Sequence, residues 1–250
     1  DLARPQGVSA AQQRQEFDAL AWLNRRHLGD EGKDSELEAR IRAYELAFRM
    51  QSAAPELVDL SSETEETKAL YGLDNSKTAG FGRQCLLARR LVERGVRHTL
   101  LLHGVQIGKD SWDDHGNVKD GMIKHSREVD LPVAGLLADL KRRGLLDETL
   151  VVWASEFGRT PMMQGNLGRQ HNAAGFTIWM AGGGVRPGVR IGATDDLGLM
   201  AVDKPLQMKD LHATILHLLG IDHTRLTFRH NGVDRRLTDV HGEVIRPILA

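Results

Sequence analysis

Val151-Val152-Trp153-Ala154-Ser155-Glu156-Phe157-Gly158-Arg159-Thr160-Pro161, then a polar loop and Gly168-Arg169-Gln170-His171-Asn172, is the stretch whose reading decides the fold. An apolar run rich in β-branched residues stops at Ser155-Glu156. A buried-strand composition followed at once by a carboxylate, a glycine and an arginine is the pattern of a site at the C-terminal edge of a parallel sheet. Glu156 is the sharpest residue of the stretch: it could ligate a metal, act as a base, or pair with Arg159. His171 either bonds a carbonyl at a strand start or serves as a ligand or proton donor. Arg159 and Arg169 either pair at the surface or hold a phosphate or sulfate, which suits the planar guanidinium fork.

Outward from this stretch, helical and strand patterns alternate. Upstream, capping boxes at Ser9 to Gln12, Ser35 to Glu38 and Ser62 to Glu65 predict helix starts, each hydroxyl taking a first-turn amide. Ile41, Tyr44, Leu46 and Ala47 predict an apolar stripe on the second helix. A fourth helix is predicted over 78–93, stopping at Gly95. Val96 to His103 then reads as a strand, and residues 120–143 as a long helix that Pro132 kinks. Further strands are predicted at 150–155 and 176–181, the latter ended by the tight turn Gly182-Gly183-Gly184. A helix over 208–219 and a hairpin over 225–237 around Asn231-Gly232 complete the chain. Alternation of this kind predicts an α/β fold with a mostly parallel sheet flanked by helices. It also predicts a single domain over 1–250, with 1–95 mostly helical and 96–250 forming the sheet.

The 250 residues, 41% hydrophobic, suffice for one substantial core. A net charge of -1 gives no field for nucleic acid or an anionic membrane. No apolar run approaches the roughly 20 residues of a membrane span. The single cysteine, Cys85, excludes an internal disulfide and reads as a small buried side chain of a helix. No basic-then-apolar leader stands at the start, and a chain beginning without methionine is expected to be a processed or excised piece.

Asp113-Asp114-His115-Gly116-Asn117 adds a second polar cluster. Asp113 and His115, two apart, could both bind one divalent ion, since carboxylate oxygen and imidazole nitrogen suit zinc, manganese or iron. The same residue types also favour turns, because Asp and Asn bond their own backbone. Ser155 has no base set beside it by sequence, and His212 and His217 do not share a ligand face, so these three read as structural.

Taken in order, the Trp112 to Asn117 run, Ser155 to Pro161, Gly168 to His171, Ala181 to Gly184 and Asp210 to Leu216 resemble a sulfatase-like bacterial family of unknown function within the alkaline phosphatase superfamily. The resemblance covers nearly the whole chain. It implies the C-terminal part of an alkaline-phosphatase-like sheet. It implies a metal-dependent hydrolase of phosphate or sulfate esters, with Asp113, His115, Glu156 and His171 as metal ligands and Arg159 and Arg169 on the anion. The implied cofactor is a divalent metal (zinc, manganese or calcium), and the implied partner a small-molecule or polysaccharide anionic ester. An exported, periplasmic or cell-surface location is implied as well. The alternative is a non-catalytic binding or scaffold module, favoured by Phe157 and by Gln170, where relatives carry ligating or acidic residues. The nucleophile is expected outside this chain, so the fragment is expected to hold part of a two-metal site. The resemblance implies no oligomeric state.

Overall fold

At Ser9 the predicted box closes. The Gln12 amide donates to Ser9 Oγ at 3.2 Å and the Ser9 amide to Gln12 Oε1 at 3.0 Å. The computed structural model describes residues 6–31, 35–104 and 112–250. The side chain of Ser35, which would open the second box, and residues 105–111 of the loop after His103 lie outside the described part.

The chain divides into two units, residues 1–64 and 65–250. The first holds α1 (Ala10–Glu31) and α2 (Ser35–Val58). Phe17 and Phe48 meet with ring centroids 4.9 Å apart, and Arg14 lies over the Phe48 ring. Of the predicted α2 stripe, Tyr44 and Leu46 are exposed. A two-helix hairpin has one seam, and here the Phe17–Phe48 pair occupies it.

The second unit carries α3 (Glu65–Leu70), α4 (Ala79–Glu93), α5 (Val118–Arg142) and α6 (Met208–Leu218). Cys85 and Leu86 of α4 and Val129, Leu136 and Leu140 of α5 are buried where these helices pack. Burial pushes the Cys85 thiol up to about 12, as its small apolar role requires. Fully buried Asp139 accepts Tyr71 Oη at 3.0 Å, Arg142 and Arg143 at 2.9 Å each, and stands 3.1 Å from Arg89. Burial pushes its carboxyl up, but the hydrogen bonds from Arg142, Arg143 and Tyr71 outweigh this and hold it below its ordinary value.

The strands are β1 (Val151–Trp153), β2 (Gly158–Gln164), β3 (Gly168–Asn172), β4 (Trp179–Ala181), β5 (Ala193–Thr194), β6 (Ala201–Asp203), β7 (Thr227–His230) and β8 (Val233–Arg236). They form four two-stranded antiparallel sheets, β1–β4, β2–β3, β5–β6 and β7–β8. This overturns the predicted parallel sheet. Alternating helices and strands imply parallel pairing only if successive strands are neighbours across a crossover helix. Here β2 folds straight back on β3, and β1 runs against β4 with Val152 opposite Met180. The strands are at most half-buried for the greater part, where a parallel sheet would be covered on both faces. Val96 to His103 is not a strand and joins no ladder among the described residues.

Other expectations are met. α4 and α6 lie within a residue of their predicted bounds, and α5 lies within two, with Pro132 buried inside it. The hairpin β7–β8 turns on Asn231 and Gly232, both at positive φ, as a tight two-residue turn of matching twist requires.

Candidate metal centre

The β2–β3 hairpin is the scaffold. Arg159 lies opposite His171, and a bulge between Arg159 and Met163 carries the chain to Gln164, opposite Gly168. The segment after Trp112 docks on the turn of this hairpin. Asn117 and Val118 donate their amides to the carbonyls of Asn166 and Leu167, each at 3.0 Å. The approach demands a glycine at 168, where a Cβ would stand 1.9 Å from the His115 carbonyl oxygen. These backbone bonds bring Asp113 and His115 beside His171 on β3, 58 and 56 positions along the chain.

Three ligand-type atoms converge. Asp113 Oδ1 lies 2.8 Å from His171 Nε2 and 3.0 Å from His115 Nε2, and the two Nε2 atoms are 3.1 Å apart. His115 Nδ1 donates to Gln164 Oε1 at 2.8 Å. With its proton on Nδ1, a neutral His115 turns a lone pair on Nε2 toward the carboxylate and the other imidazole. Phe157 stacks on His171 with centroids 4.0 Å apart, fixing that ring from the other side. Hydrogen bonding from His171 and from Arg159 holds the Asp113 carboxyl down at about 2. All three groups are substantially exposed, so an ion and a ligand from solution can reach them.

Arg159 is engaged within the protein. It donates to Asp113 Oδ1 and the Trp112 carbonyl at 2.8 Å, and to the Arg169 carbonyl at 3.2 Å. Arg169 donates to the Gly168 carbonyl at 3.1 Å. Glu156 stands outside the converging group. Its Oε2 lies 3.3 Å from Ser155 Oγ, which also donates to the Phe157 carbonyl. The structure thus brings together Asp113, His115 and His171, with Arg159 on the same carboxylate, and leaves Glu156 on the bend between β1 and β2.

A second set of donors assembles nearby. His103 Nε2 and His125 Nδ1 lie 3.3 and 2.9 Å from Glu128 Oε2. These and the Asp113 group are the two sets of three among the described residues whose ligand atoms could hold a metal. The second set was not anticipated, although His125 and Glu128, three apart on a helix, carried a readable signal. Gln164, which orients His115, carried none.

A protein-family model described as "Protein of unknown function (DUF1501)" matches residues 1–249. No curated protein and no solved structure matches the chain. Nothing in these comparisons links it to the sulfatases or the alkaline phosphatase superfamily. The small antiparallel sheets argue against that kinship independently, so the expected superfamily membership is corrected. Short polar motifs around turns repeat in unrelated folds, because turn chemistry alone selects Asp, Asn and Gly. The match over nearly the entire length makes the chain a member of the DUF1501 family of proteins of unknown function.

Proposed function

We propose that Asp113, His115 and His171 bind a divalent metal ion and that the protein is a metal-dependent hydrolase of phosphate or sulfate esters. The carrying observation is the His115 lone pair. The Nδ1 proton is committed to Gln164, and Nε2 faces a carboxylate oxygen and a second Nε2 within 3.1 Å. One proton from His171 can serve only part of that triangle, whereas a cation satisfies all three atoms.

Two imidazole nitrogens and one carboxylate oxygen are donors that suit manganese, iron or zinc. A metal held by these three residues would polarise an ester oxygen and lower the pKa of bound water. Arg159 neutralises the ligand carboxylate while leaving it a lone pair, and Arg169 lies on the same hairpin for an anionic ester.

The test is metal-stripped protein titrated with manganese, zinc, calcium and iron(II), since two His and one carboxylate on one face also suit iron oxygenases. Each loaded form is then offered aryl phosphates, phosphodiesters and aryl sulfates. Turnover abolished by a chelator and by His171→Ala supports the proposal. Tight metal binding without turnover of any ester leaves a non-catalytic metal-binding module, and failure to bind any of the four ions ends the reading.

A further inference from the structure

The second histidine set has a feature that decides its role. Trp112 Nε1 donates to His103 Nδ1 at 2.9 Å. That bond requires a lone pair on Nδ1, so the neutral ring carries its proton on Nε2, which points at Glu128 Oε2 3.3 Å away. His125 Nδ1 donates to the same oxygen at 2.9 Å. An ion bound at His103 Nε2 would need the opposite tautomer, whose Nδ1 proton would collide with the indole proton. The set is therefore a closed chain of hydrogen bonds, and what it holds is Trp112.

Trp112 is clamped on several sides. Its ring lies against His125 at 5.1 Å, edge-on to His103 at 5.8 Å and edge-on to Trp153 at 6.1 Å. Its carbonyl accepts Arg159, the same guanidinium that binds Asp113 Oδ1. Asp113 is the next residue. We propose that Trp112 is a positioning residue for the metal centre, with the chain Glu128–His103–Trp112 setting where the Asp113 carboxylate stands. This rests on the reading of Asp113, His115 and His171 as ligands. Support comes from the state of His103. Burial pushes it below its ordinary value, with His125 and Lys124 adding to this against the pull of Glu128, so the acceptor on Nδ1 is kept.

The experiment uses the full chain as wild type, Trp112→Phe, His103→Leu and His103→Asn. Manganese affinity is measured by titration, and exchange of the Asn117 and Val118 amides by hydrogen exchange without metal. Phe keeps the ring and loses the N–H; Asn offers an oxygen in the place of Nδ1 and Leu does not. Affinity is expected to fall about ten- to a hundredfold in Trp112→Phe and His103→Leu, the range for groups that orient metal ligands. His103→Asn is expected to restore it, and a merely structural role would not separate Asn from Leu. Wild-type binding that Trp112→Phe leaves unchanged overturns the proposal. Should the wild type bind no ion, the metal reading falls, and hydrogen exchange decides the positioning role. Faster exchange of both amides in Trp112→Phe and His103→Leu but not in His103→Asn upholds it, and exchange alike in all four proteins overturns it.

Discussion

Two groups of two histidines and one carboxylate stand in the same unit of this protein, and they are built for opposite ends. Around Glu128 every polar contact has a proton to share. His125 is 3% exposed, and a tryptophan holds the outer nitrogen of His103. Around Asp113 the side chains are 39 to 51% exposed, the outer nitrogen of His115 is a donor, and lone pairs converge. Composition is the same. The partner on the far side of each imidazole sets which atom faces inward, and with it whether protons or lone pairs meet at the centre of the group.

The largest expected effect separates the two groups by exchange of phenotype. His171→Ala removes one of the three proposed ligands and is expected to weaken manganese binding by about a hundredfold or more, near 3 kcal/mol, read by calorimetric titration. Thermal stability should stay close to wild type, because the side chain is exposed. His125→Leu should do the reverse. It leaves the buried chain a donor short and is expected to cost about 1–3 kcal/mol in urea unfolding, while the three proposed ligands remain. A destabilised His171→Ala beside a fully stable His125→Leu would erase the contrast.

Acidity sharpens the same comparison with smaller effects. His103 has its folded value lowered by burial, so the unfolded chain takes up the proton first. Its contribution to stability is present above the unfolded value of about 6.5 and is lost as pH falls below it. His103→Asn should flatten the stability profile just below that pH. Asp113 is lowered to about 2, so its contribution is present above the unfolded value near 3.8 and is lost as pH falls from there through 2. Asp113→Asn should flatten the profile in that acid window, and by less, because half of this side chain faces solvent. Unfolding curves at stepped pH check both, and a profile in either variant as steep as the wild type's contradicts the assignment.

Much of this was legible in the residues. Ser9 and Gln12 capped α1 as read, the apolar spacing of 208–219 became α6, and Asn231-Gly232 became the predicted turn. Such features depend on neighbours within a few positions. The direction of the sheets was not legible, because Val151-Val152-Trp153 reads the same whether its partner runs with it or against it. For the site, the residue types at Asp113, His115 and His171 were readable from their chemistry. Their meeting point depends on a hairpin whose turn, Gly165 to Gly168, had looked like a plain polar loop. Glu128 pairs with His125 three positions away, which was readable, but it reaches His103 across 25 residues and Gln164 reaches His115 across 49, where local pattern carries no information.

The smallest effect concerns Glu156, the residue that stood out most in the sequence. Its Oε2 lies near the hydroxyl of the preceding serine, on the exposed bend after β1, and the converging triangle closes without it. From that place it can act on a bound cation only through solvent-screened attraction, for which exposed pairs yield about 0–1 kcal/mol. Glu156→Ala is therefore expected to lower manganese affinity by at most about fivefold at moderate salt, and by less as salt is raised. His171→Ala measured beside it supplies the scale. A loss in Glu156→Ala as large as in His171→Ala, and insensitive to salt, would make Glu156 a direct ligand brought in by movement of the bend. The three-atom group would then be the open form of a four-ligand centre.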